Sequence, residues 1–305
     1  MTFIVDIERA KMVILRAHEA FRARSGLLSE TDDLIENQIP DGVEPLSRDH
    51  ALFLFYTVVN DHGMKSSRLY ARAKALFLEN RALFEPFRII EDFNGPEDGR
   101  LVELTGKQLG TRYPRETAKV WYLNSKRLIE KFGGDPRNLF RCAPDARTLM
   151  KEIVAFRGYG PKTGGILLRA IIGLGFVDVT GIEEVPIPVD IHDSRICFLT
   201  GVLKLSGPGN ARVDYYAYAR HVQRILLETC NLLGLKWLDI DRALWLIGSR
   251  GCTNRRCKLC PLRDICIIGS AVMANKTHEG DIVQPLLPSD SLFASETQGI
   301  RRNTS

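Results

Sequence analysis

Four of the seven cysteines in this 305-residue chain fall within fifteen residues, as Cys252, Cys257, Cys260 and Cys266, with four, two and five residues between them. Such a segment has to fold as a compact loop around whatever its sulfurs share. The odd total argues against full pairing into a disulfide framework, and the opening residues MTFIVDIERA have no secretory character. Four clustered thiolates suit one metal centre, either a [4Fe–4S] cluster or tetrahedral zinc. Zinc knuckles more often use two CxxC pairs. A single CxxC with longer flanking gaps suits a loop wrapped around a larger object, so the spacing favours iron–sulfur over zinc, and both over free thiols. Cys142, Cys197 and Cys230 stand alone in apolar surroundings and read as buried small hydrophobes.

The hydrophobic content of 45% is that of an ordinary globular chain, and the net charge of +5 permits a nucleic-acid partner without demanding one. Any such affinity has to come from local patches. The longest uncharged apolar run, Ala51 to Val59, is far short of the roughly 20 residues that span a bilayer. The expectation is a cytoplasmic, monomeric protein with no membrane partner.

Helical periodicity dominates, and no stretch sustains the alternation of a half-buried strand, so the predicted class is all-α. Asp145 caps a helix carrying Leu149, Ile153 and Phe156. A second helix runs from about Thr117 to Phe132 and stops at Gly133 and Gly134. Val222, Ile225, Leu226 and Leu233 stripe a third, and Asp239 is placed as the cap of a fourth. Breaks fall at 40–45, 94–99, 186–188 and 207–209, and the polar stretch from Gly269 reads as a tail of poor order.

Two helical patterns meet across Gly158, Tyr159 and Gly160 within residues 153–168. Glycines on either side of one apolar residue make a tight turn whose backbone can approach a ligand closely. Pro161 suits the first position of the next helix, and the N–H groups of that helix start favour an anion such as phosphate. Lys162 lies in the same first turn, where the helix field disfavours a cation and should depress the pKa of the amine. A partly neutral lysine is what imine chemistry needs, although a solvated or phosphate-contacting lysine fits the same position. Asp190 ends an extended Pro-rich approach and reads as a helix N-cap, with Asp193 three positions later.

These segments also resemble a known family. Phe156, Gly158, Tyr159, Gly160 and Gly164 match the helix-hairpin-helix signature of the DNA glycosylase superfamily. Val189, Asp190, His192 and Arg195 match the VDTHxxR segment of endonuclease III, with Ile191 departing conservatively. DRALWLIGSRGC is similar to the helix that delivers the first cluster ligand, YLNSKRLIEKFGG to the helix before the hairpin, and the order of the segments is the same. The resemblance is specific from about 113 to 266 and weak before it.

The resemblance implies two helical domains flanking a DNA-binding cleft: a six-helix-barrel-like domain at 45–173 carrying the hairpin, and an iron–sulfur domain of 1–44 plus 174–268, followed by a tail at 269–305. Gly158, Tyr159, Gly160 and Thr163 would then contact phosphates without reading sequence. Lys162 would be the Schiff-base lysine and Asp190 the catalytic carboxylate, with His192 structural. Arg255 and Arg256 would belong to a basic loop touching DNA, and the four cysteines would hold a [4Fe–4S] cluster. The activity implied is that of a DNA glycosylase with lyase activity on duplex DNA containing a damaged base or abasic site. The alternatives are a monofunctional glycosylase and a non-catalytic iron–sulfur DNA-binding protein. Several departures stand out. The first cysteine gap is four residues where the family usually has six, and Gly164 and Gly165 replace an alanine-containing pair. The glutamine segment that fills the gap left by a flipped base is not visible, Asn60 being the nearest candidate, and 84–110 reads as an insertion.

Overall fold

A computed structural model describes residues 2–206 and 215–274, and its internal contacts divide the chain into two units, Met1–Glu30 with Val189–Ser305, and Thr31–Pro188. The first unit begins with β1 (Thr2–Val5) and α1 (Ile7–Arg22). Asp6 caps α1 by accepting from the Arg9 N–H at 3.0 Å. Ala10, Val13, Ile14 and Ala17 recur at helical spacing and are buried, which fixes the inward stripe of α1.

The second unit is wholly helical among its described elements: α2 (Arg48–Val58), α3 (Ser66–Glu79), α4 (Pro86–Asp92), α5 (Gly99–Leu101), α6 (Pro114–Phe132), α7 (Pro136–Phe140), α8 (Ala146–Val154) and α9 (Pro161–Leu174). The apolar run noted in the sequence is the innermost helix, with every residue of α2 from His50 to Val58 buried. Its Phe53 meets Phe77 edge to face, and its Tyr56 packs against Phe84 and Trp121, which meet each other edge to face. Burying each such phenylalanine contributes about 1.5–3 kcal/mol. Phe84, Ile89, Leu101 and Leu109 are buried here too, so 84–110 is part of this core.

The first unit resumes with α10 (Ile191–Leu199), β2 (Leu203–Ser206), α11 (Tyr215–Leu232), α12 (Trp237–Leu246) and α13 (Ile267–Met273). β1 and β2 pair antiparallel, Thr2 opposite Ser206 and Val5 opposite Leu203, a ladder too short to alter the all-α class. No described helix is long and apolar enough to cross a membrane.

Several boundaries differ from the sequence expectation. The units divide at 30/31 and 188/189 rather than at 44/45 and 173/174. Glu36 pairs with Arg169 of α9 at 2.9 Å, and Phe176 packs tilted against His50 and edge to face on Phe140, which ties both flanking segments to the second unit. Asp239 is not a cap: α12 starts two residues earlier behind Lys236, and Asp239 bonds Arg242 at 3.0 Å from within the first turn. Cys142 is exposed, because Phe140 and Ala143 take the inward positions of that turn, whereas Cys197 and Cys230 are buried as expected. α13 carries helix past 268, with Val272 buried. The rest of the expected tail, from 275, and the break at 207–209 lie outside the described residues.

Candidate active site

The hairpin is built by local chemistry and braced from a distance. Asp145 caps α8, accepting from the Thr148 N–H at 2.8 Å, and α8 ends before Phe156, whose ring is buried. Gly158 has φ +83°, and a Cβ there would meet Val59 at 2.9 Å, so both conformation and space require glycine. The Thr163 hydroxyl accepts from the Gly160 N–H at 3.1 Å and donates to the Gly158 carbonyl at 3.2 Å, closing the turn. Asn124 of α6 then clamps the turn from below, exchanging two 2.9 Å hydrogen bonds with the Arg157 backbone.

This geometry decides which hairpin groups can face a ligand. The Tyr159 side chain is buried against Phe55 and donates its hydroxyl to the Phe55 carbonyl, and Thr163 is buried as well. What these two can offer a ligand is therefore backbone, not side chain. Gly160 differs. A Cβ there would meet nothing within 4 Å.

Lys162 extends from the first turn of α9 toward the end of α2. Its Nζ donates to the Asp61 carbonyl at 3.1 Å and lies 4.0 Å from the Asp61 carboxylate, the lysine side chain being 33% exposed and that of the aspartate 4%. The Asp61 carboxylate also accepts from Ser66 at 2.8 Å and from Tyr70. Partial desolvation and then the Lys162 charge hold the neighbouring His62 below its ordinary pKa. Sequence reasoning did not select Asp61, since nothing local marks it. Asn60, the gap-filling candidate, is buried and spends its amide on the Tyr56 carbonyl at 2.7 Å.

In the first unit Asp190 is the N-cap of α10, accepting from the His192 N–H at 2.7 Å, while its own N–H donates to Asp193 at 2.8 Å. Asp193 is buried. Burial, then the charges of Asp190 and Asp241, push its carboxyl well above the usual carboxylate range. His192 packs on Gly248, where a Cβ would come within 2.4 Å of the histidine Cβ. That contact ties the Asp190 helix to the π-helical turn Ile247–Cys252, which presents the first clustered thiol.

Cys252 ends this π turn, Cys257 starts the 3-10 turn Cys257–Leu259, Cys260 closes it, and Cys266 caps α13. The thiols influence one another: burial, reinforced by Cys266 and Cys257, pushes Cys252 up to about 12, and burial with its three neighbours does the same to Cys260. Among the described residues no three His, Cys, Asp or Glu side chains stand in an arrangement that could hold a metal ion. Arg255 and Arg256 are exposed on the loop between the first two thiols, Arg255 with φ +57°.

No protein-family model matches the sequence, and no curated protein does. Among solved structures the chain is similar to endonuclease III as captured in a trapped covalent intermediate with DNA, an estranged-adenine complex, with a TM-score of 0.55 over 88% of this chain and 100% of that one. The chain has the endonuclease III fold. At 16% identity the likeness is one of architecture. Within it, the first unit combines the N-terminal segment with the chain from Val189, the second is the continuous Thr31–Pro188, and the hairpin joins α8 to α9. Cβ atoms at Gly164 and Gly165 would sit 3.0 Å from Met150 and from Pro188, so the glycines let α8 and the 186–188 segment close on α9.

Proposed function

We propose that this protein is a DNA glycosylase with lyase activity, acting in base excision repair on duplex DNA that holds a damaged or mispaired base. The observation that carries the reading is the Lys162 amine, one-third exposed at the start of the helix that leaves the Gly158–Gly160 turn, within an endonuclease III fold. A base inside a duplex is out of reach of an amine, so the nucleotide is flipped out at a cost of a few kcal/mol. Hairpin backbone N–H groups and the α9 start hold the phosphates. The neutral Lys162 amine attacks C1′, and the glycosidic bond pair leaves with the base. Nitrogen loses its proton as the sugar ring opens to the imine, loss of a C2′ proton expels the 3′ phosphate, and water releases the lysine. Asp190 assists deprotonation of the amine and opposes the positive charge that develops at the sugar.

Cys252, Cys257, Cys260 and Cys266 are the residues that would hold a [4Fe–4S] cluster. The donor types suit such a cluster: four soft sulfurs within electrostatic reach of one another, two of them costly to ionise without a neighbouring cation. When bound, the cluster supplies folding energy to the loop. Arg255 and Arg256 project from that loop as phosphate contacts.

Borohydride trapping on a panel of damaged duplexes tests the reading: a covalent protein–DNA adduct is expected on at least one lesion or on an abasic site. Base release without adduct would favour the monofunctional alternative, which the contact between Lys162 and the buried Asp61 also accommodates. Neither adduct nor base release would leave a DNA-binding protein.

The phosphate contacts have their own test. Log K for undamaged duplex is expected to fall linearly with log salt, and changing Arg255 and Arg256 together to alanine should reduce the slope by roughly one to two units. Gly160→Ala should leave the melting temperature unchanged, since φ is −107° and the added Cβ meets open space. It should nevertheless weaken binding by roughly tenfold, because the methyl occupies the path of a phosphate. An unchanged slope in the arginine variant, or unchanged affinity in the glycine variant, would move that contact away from DNA.

A further inference from the structure

Asp61 is the most enclosed charge beside the candidate nucleophile. It follows the end of α2 in a tight turn, its N–H donating to the Val58 carbonyl at 3.0 Å, and it is 3% exposed. A carboxylate taken out of water needs either a cation or donors enough to replace its hydration. Here Ser66 and Tyr70 are neutral donors from α3, and Lys162 of α9 is the cation. The lysine is held twice by one residue, at the carbonyl and at the carboxylate. A staple for the 59–66 turn would need only the Ser66 and Tyr70 bonds. The extra reach to Lys162 is what a staple does not explain.

The helix field at the α9 start works against a charged amine, and Asp61 works for it. Titratable groups that interact with the pair include His62, held toward its neutral form, and Tyr70, whose phenol is kept protonated by burial and then by Asp61. The Arg169–Glu36 ion pair lies beyond Tyr70 and is internally compensated.

We infer that Asp61 is a positioning residue for Lys162, its buried carboxylate and backbone carbonyl together fixing the amine and holding it in the charged form in the free protein. The inference rests on the lyase reading for its catalytic meaning, but not for its physical content. Asp61 acts on DNA only through the lysine.

Asp61→Asn keeps the volume and one acceptor oxygen for the two hydroxyls of Ser66 and Tyr70, which bond different oxygens of the carboxylate, and removes the charge. Two profiles are read in the wild type and the variant: trapping rate against pH, and acetylation of Lys162 by trace acetic anhydride against pH in the DNA-free protein, quantified by peptide mass spectrometry. Both midpoints should move to lower pH by about one unit, the low end for an opposite charge at this distance because the lysine is partly exposed. Midpoints that stay put in a folded variant would overturn the inference.

Where Asp61→Asn does not fold, Lys162→Met serves instead, leaving Asp61 buried with neutral donors only. The penalty is that of a buried charge without a cation, so it is largest near neutral pH, where carboxylates are ionised, and shrinks in acid. The melting-temperature deficit against wild type should be several degrees larger near neutrality than in acid. A deficit independent of pH would overturn the inference. A wild-type protein that yields no adduct at any pH refutes the lyase reading, while the acetylation and melting results still judge Asp61.

Discussion

Lys162→Gln should abolish borohydride-trapped adducts while damaged duplex is still bound. Glutamine keeps most of the length and can still donate to the Asp61 carbonyl, which accepts from Lys162 at 3.1 Å in the wild type. It has no amine to form an imine, so trapping should fall by at least roughly a thousandfold, the scale on which loss of a nucleophile is measured. The substitution also leaves the Asp61 carboxylate without its cation, and a stability loss of about 1–3 kcal/mol is expected. Activity is therefore compared at a temperature where both proteins are folded. The companion change, Asp190→Asn, retains an N-cap of similar strength for the bond to His192 and removes the charge. Turnover should fall roughly a hundredfold or more with a stability change under about 1 kcal/mol. Adducts at the wild-type rate in Lys162→Gln would assign the chemistry to another amine. A single-turnover rate that survives Asp190→Asn would reduce that residue to a cap.

The second large effect is expected in the thiol loop. Between Thr253 and Cys266 only Leu262 is buried, and the segment holds no α-helix. With so little apolar surface enclosed, a cluster held by its sulfurs would turn metal affinity into folding free energy of order 10 kcal/mol. Wild-type protein purified without air should be brown, absorb broadly near about 400 nm and carry about four irons per chain. Cys257→Ala should lose the colour and also loosen the first unit, because the π turn that ends at Cys252 packs Gly248 against His192 of α10. Amide exchange of α10 and α12 reads that loosening directly. A colourless variant whose exchange and melting match wild type would refute the structural role. Stoichiometric zinc with no iron in the anaerobic wild type would refute the cluster itself.

Much of the fold was legible because its signals are local. Asp145 before an apolar stripe, Gly133 after one, and glycines around Tyr159 each act within one turn of chain, and the described helices begin and end there. Asp190 as a cap followed from the same short-range logic. Asp239 shows how that logic fails: its preference for a cap is real, but packing of Trp237 started the helix two residues earlier, with the indole buried.

By itself, then, the sequence determined the helices, the hairpin turn, the candidate lysine and the thiol set, all set by backbone preferences and side-chain chemistry over a few residues. The tertiary structure alone decided that Tyr159 and Thr163 turn inward, that Gly164, Gly165 and Gly248 mark close approaches, and that 84–110 belongs to the core. It alone put Asp61 beside Lys162, 101 positions away. A buried charge is matched by whatever the packed helices bring to it, and no window of sequence contains both partners.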